Sequence, residues 1–187
     1  MCGDSGYADC GGDGGVGVDG SCTAESGAVW GCGVRDAKDS LEMDYEFPSF
    51  LEKVISPEKY FRWLQRKASA HVNRDKKRGN QTANFASYKK AIHSAVKASQ
   101  GKDHYTGLPL DWSLVSKYDN EESKRRGREY KKELAALPTV DHVDDGLGDP
   151  CFVICSWRVN DAKHDLTLDE FLALCESVLL HHKKSTQ

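Results

Sequence analysis

The chain has no long apolar run. Nowhere in its 187 residues do about eighteen apolar side chains follow one another, so no membrane-spanning helix is expected. No signal-peptide pattern opens it. It has no internal repeat and no Ser/His/Asp arrangement for nucleophilic attack. No glycine loop sits between a strand and a helix to cradle a nucleotide phosphate. These absences argue against a membrane partner and leave a soluble, cytoplasmic protein as the expectation.

What is present is uneven charge. The total is only −3, but residues 1–42 hold two basic against eight acidic side chains, a net −6. Residues 43–140 hold twenty against twelve, a net +8, and residues 141–187 hold four against nine, a net −5. A basic middle is the electrostatic footprint of a nucleic-acid binder. Residues 1–42 also hold eleven of the seventeen glycines and four of the seven cysteines. Such a stretch buries too little to offset its ordering entropy, so a disordered tail is expected. Cys2, Cys10, Cys22 and Cys32 have no recognisable metal-knuckle spacing. Globular composition begins at Met43, which suggests that translation starts there.

Two helices are expected in a basic region spanning 43–101. Ser56-Pro57 reads as an N-cap and first helical residue, and Phe61, Leu64, Ala68 and Val72 follow at helical spacing. This helix ends in the basic run Lys76, Lys77, Arg78 before Gly79-Asn80, and the run is a candidate phosphate contact. A second helix should run from about Asn84 to Ser99. Residues 120–134, with Arg125 and Arg126 among their charges, read as a helical insertion or a mobile loop that could follow a nucleic-acid backbone. Near the end, Thr167 and Glu170 form a capping box. The helix they open should bury Phe171, Leu172, Cys175, Val178 and Leu179.

The chemistry-bearing feature lies between these elements. A β-prone run, Pro138 to Val143, contains the pair Asp141-His142. A Gly/Asp loop follows, then an apolar run from Cys151 to Cys155, then a helix-compatible segment from Trp157 to Asp165. Asp141 and His142 should face opposite sides of a strand unless the backbone turns. The run into Asp144-Asp145-Gly146 is where such a turn is expected, so that a carboxylate, an amide oxygen and an imidazole converge on one point beside a second imidazole. Asn160 and His164, four residues apart, would share a helical face. Asp141 and Asn160 offer hard oxygen ligands suited to Mg²⁺ or Mn²⁺, and His164 widens the choice toward Ni²⁺ or Zn²⁺. An imidazole is suited to act as a general base near neutral pH. Arg158 or Lys163 could contact a phosphate.

The order strand, Asp-His, loop, strand, Asn-x-x-Lys-His resembles that of the HNH, or ββα-metal, endonucleases, over roughly residues 102–182. His104-Tyr-Thr-Gly-Leu-Pro-Leu110 is similar to the knuckle that precedes the first strand in many members. The resemblance implies an α+β domain with a ββα-metal core over 102–187, N-terminal helices and a C-terminal packing helix. It also implies metal-dependent hydrolysis of nucleic-acid phosphodiesters, DNA foremost. By position, Asp141 resembles the first metal ligand, His142 the general base, Asn160 the helix ligand and His164 a further ligand of His-rich members. Mg²⁺ is the expected metal. The family's middle Asn, which steadies the base, has no counterpart, and Asp149 or Cys151 lies nearest its position. The two Cys-x-x-Cys pairs of zinc-bearing members are also missing, so a structural zinc is not expected.

Two rival readings remain. One is an HNH-like module that grips nucleic acid without cutting. The other is an interaction protein stabilised by zinc on Cys151, Cys155 and Cys175, which read more simply as small buried hydrophobes. A homodimer or a protein partner would suit a nuclease of this size.

Overall fold

The computed structural model describes residues 45–185. The glycine-rich tail and the suggested start at Met43 lie outside the described residues. Residues 47–187 cluster as one compact unit. It is mixed α and β, with six α-helices and one two-stranded antiparallel sheet among the described residues.

Helix α1 (Pro57–Arg78) starts where its local chemistry dictates. The Ser56 hydroxyl accepts the Lys59 N–H, Pro57 opens the first turn, and Gly79 closes the helix at φ 110°. Helix α2 (Phe85–Ser99) is capped by Asn84, which accepts the Ser87 N–H. The core forms where the two helices meet the sheet, around Tyr60, Leu64, Tyr88, Ile92, Val96 and Ile154, each at most 1% exposed. Residues 120–134, left open between helix and mobile loop, fold as two short helices, α3 (Asn120–Arg126) and α4 (Arg128–Glu133).

Strand β1 (Pro138–His142) pairs with β2 (Phe152–Ser156) in a register that sets Asp141 against Val153 and His142 against Phe152. Helix α5 (Trp157–Lys163) follows β2 without a break, with Ser156 as its N-cap. Its start is tied back by Trp157 N–H to Leu137 C=O and Arg158 N–H to Ala135 C=O. The knuckle before β1 is held by one carboxylate. Asp103 Oδ1 accepts the N–H groups of Tyr105 and Thr106, and Oδ2 accepts that of Ser156 at 2.6 Å. Burial pushes the Asp103 carboxyl up, but these hydrogen bonds outweigh it and hold the group below the usual carboxylate range.

One expectation fails. Helix α6 (Leu168–Ser185) has its capping box, with the Thr167 hydroxyl accepting the Glu170 N–H and Glu170 accepting the Thr167 N–H. None of its residues is buried, however. Leu172, Val178 and Leu179 stand 56–61% exposed, and only Phe171 and Cys175 are half-buried. It does not pack across the ββα unit as its apolar stripe suggested. The stripe states that a face needs covering but not what covers it.

Candidate active site

The alternation of β1 decides the layout. Asp141 and His142 point to opposite faces, and no turn intervenes before His142, which stays in register with Phe152.

His142 faces α1. Its Nε2 lies 2.8 Å from Asp75 Oδ2, and the same oxygen accepts the Tyr88 hydroxyl at 2.7 Å. A carboxylate only accepts, so Nε2 carries the proton. The ring packs on Phe152 and His71, with centroids 4.8 Å away in both cases. Among the described residues, the sealed side-chain atoms without a hydrogen-bond partner are His71 Nδ1, Asp75 Oδ1 and Trp112 Nε1. His142 Nδ1 is not among them and has no protein partner among the described residues, so it keeps contact with solvent. Burial first, then the positive charge of Arg74, pushes the His71 imidazole well below its ordinary value. His71 is therefore a neutral wall beside the pair.

The Gly/Asp loop covers this pair closely. A Cβ on Gly146, which sits at φ +73°, would lie 2.9 Å from Asp75 Oδ1 and 3.2 Å from His142 Nε2. The loop is pinned from the turn after α1, where the Asn80 side-chain amide donates to the carbonyls of Gly146 and Gly148. Only glycine combines this backbone conformation with that approach.

Asp141 faces α5 and the knuckle. Its Oδ2 accepts the Tyr105 hydroxyl at 2.6 Å and lies 3.2 Å from the Lys163 ammonium. Burial and the hydrogen bond to Asp141 push the Tyr105 phenol above its ordinary value. Oδ1 of Asp141 has no protein partner among the described residues. Asn160 lies three residues before Lys163 on α5, so the helical face turned to Asp141 carries both. Its side-chain amide is likewise unpartnered. Neither Asp141 Oδ1 nor the Asn160 amide is thus engaged by a protein partner among the described residues.

His164 is not brought in. Helix α5 ends at Lys163, and His164 takes φ +54°, which breaks the shared face with Asn160. Its Nδ1 instead sits 3.0 Å from Asp165 Oδ1, in the open. Lys163 is corrected too. It is buried on Asp141 and does not present its charge outward to a phosphate. Among the described residues, no group of three or more His, Cys, Asp or Glu side chains is arranged to hold a metal. A cation on Asp141 and Asn160 would complete its shell with water and substrate oxygens, which suits Mg²⁺.

The outer basic residues differ in availability. Lys76 and Lys77 are exposed in the last turn of α1, without a partner among the described residues. Arg78 lies 3.9 Å from Asp75 Oδ1. Arg125 pairs with Glu122 and Arg126 with Glu133, so both are already neutralised within the fold. Arg158 is exposed and borders an open groove with Gly127, Arg128, Lys131 and Trp157. The three cysteines stand apart in character. Cys151 is exposed and precedes β2, Cys155 is buried with its thiol pushed up by burial, and Cys175 is half-buried on α6.

Sequence reasoning missed Asp75 as the partner of His142, and Tyr88 as the second donor to the same Asp75 oxygen. A signal existed for Asp75, which continues the apolar spacing of Ala68 and Val72 on α1. A carboxylate on the buried stripe of a basic helix needs a partner. No family model, curated protein or solved structure matches the chain.

Proposed function

We propose that the protein is a metal-dependent endonuclease of the HNH, or ββα-metal, type, hydrolysing phosphodiester bonds of nucleic acid, DNA foremost. The observation that carries this reading is the Asp75-bound imidazole at the end of β1, next in sequence to a carboxylate that has a free oxygen on the other face of the strand. Asp75 fixes the proton of His142 on Nε2 and leaves Nδ1 to take a proton from water. Asp75 thereby does the steadying work for which the family uses its middle Asn. Asp141 and Asn160 would hold the divalent cation, which supplies charge stabilisation on the phosphate and the leaving oxygen. Tyr105 and Lys163 hold the Asp141 carboxylate in place through Oδ2, leaving Oδ1 for the cation. Lys76 and Lys77 give the nucleic acid a free positive edge.

One observation favours the second reading, a module that binds nucleic acid without cutting it. The Lys163 ammonium already neutralises Asp141 and competes with a cation for it. Incubation of supercoiled plasmid with Mg²⁺, Mn²⁺, Ni²⁺ or EDTA separates the two. Nicking that needs metal and disappears in His142→Ala supports the nuclease. DNA retention without cleavage in any metal supports the module.

A further inference from the structure

The largest unexplained feature is α6. Leu168, Leu172, Val178 and Leu179 are 41–61% exposed and, with half-buried Phe171 and Cys175, form one continuous stripe at helical spacing. Beside it lies a groove of about 280 Å³, where Phe171, Leu172 and Cys175 face Val159 and Ala162 of α5 and Tyr105 of the knuckle. A helix of 18 residues is about 27 Å long. Left in water, such a stripe is a standing cost.

We propose that this face is the pairing surface of a homodimer, in which α6 lies antiparallel on α6 of a second copy. The charges argue for a copy of the same chain and for that direction. Asp169, Glu176 and Lys183 recur every seven residues along one flank of the stripe. A two-fold axis near Glu176 sets each Asp169 against the Lys183 of the other copy, once on each side. More broadly, the helix begins with Asp169 and Glu170 and ends with His182, Lys183 and Lys184. Antiparallel alignment places its acidic start against a basic end, whereas parallel alignment sets like against like. The two helix dipoles also oppose favourably in that arrangement. Glu176 meets its own copy at the axis, an unfavourable contact that water at the rim screens. Two and a half heptads are short for a free coiled coil, so the groove along α5 must supply part of the buried area.

Analytical ultracentrifugation of the full chain over a concentration series tests this. A dimer that dissociates on dilution is expected. Leu172→Glu with Leu179→Glu should give a monomer with unchanged circular dichroism, because neither side chain contributes to the core of the monomer. Lys183→Glu should weaken the dimer about tenfold, since it removes two symmetric ion pairs. Adding Asp169→Lys to that variant should restore it, because the pairing survives with its signs exchanged. A wild-type chain that stays monomeric throughout overturns the proposal. So does a dimer that the double leucine substitution leaves intact, or one that the second charge change fails to restore. These readouts are independent of cleavage, so they stand whether or not the protein is a nuclease.

Discussion

Replacing Asp75 by asparagine keeps the volume of the side chain and removes its charge. In the native fold one oxygen, Oδ2, serves both the Tyr88 hydroxyl at 2.7 Å and His142 Nε2 at 2.8 Å. Oδ1 is sealed without a hydrogen bond. The amide oxygen can still accept from both donors, but the bonds lose their charge assistance, which is about half their strength. The amide nitrogen then sits in a pocket that offers it no acceptor. A loss of about 1–3 kcal/mol of stability is expected. If the amide turns its nitrogen toward the ring, the imidazole proton moves to Nδ1 and the base is lost. General-base catalysis contributes about 10²–10⁴-fold, so Asp75→Asn should lower the plasmid-nicking rate at least a hundredfold in a chain that still folds. Nitrogen NMR of the His142 ring, read alongside the nicking rate, distinguishes a changed tautomer from a damaged fold. If Asp75→Asn cleaves within twofold of wild type while His142→Ala is inactive, Asp75 does not orient the base. If both variants cleave normally, His142 itself is not the base.

The loop over this pair gives a second expectation. Gly146→Ala places a methyl 2.9 Å from Asp75 Oδ1 at a positive φ, and should cost more than about 1 kcal/mol in a denaturant melt while lowering cleavage. A variant as stable and active as wild type would show that the loop does not press on the pair. The third concerns Lys67 on α1. Burial, then Arg74 and Arg66, lower its pKa from 10.5 to about 8. The unfolded chain therefore binds more protons between about pH 8 and 10.5, so stability should rise with pH across that window. The separation sets a ceiling of about 3 kcal/mol, at about 1.4 kcal/mol per pH unit. Lys67→Met should remove this rise and stabilise the protein at neutral pH, as chemical denaturation at pH 7 and 10 would reveal. A flat wild-type profile would show that the fold does not lower the Lys67 pKa.

Local signals carried most of the element assignments. Ser56-Pro57, Asn84 and the Thr167-Glu170 box mark helix starts because each cap is satisfied within a few residues of itself. The period-two rule that sets Asp141 and His142 on opposite faces was legible too, but the turn expected to bring the pair together at the strand end does not occur before His142. The partners on either side were not legible. Asp75 and His142 lie 67 residues apart, and Tyr105 and Asp141 lie 36 apart. No local pattern encodes which distant side chain a strand face will meet. His164 failed for a smaller reason: the segment expected to be helical to Asp165 ends two residues earlier, at Lys163, which turned it out of the shared face. The packing of α6 failed because hydrophobic periodicity specifies burial without specifying the surface that provides it.

The separation of Asp75 from His142 also bears on when the site comes into being. Short-range helices and hairpins close early in folding, whereas contacts between distant segments wait for the chain to be brought together. The imidazole ends the penultimate piece of regular structure before α5, and its carboxylate partner lies on the first helix. On the proposed reading, the two N-terminal helices alone lack the base, and the strand pair alone lacks the group that aims it. A ribosome-bound or half-folded chain would therefore carry no aimed imidazole. Nuclease activity would switch on at the completion of the tertiary structure, which protects nucleic acid near the site of synthesis from an unfinished enzyme.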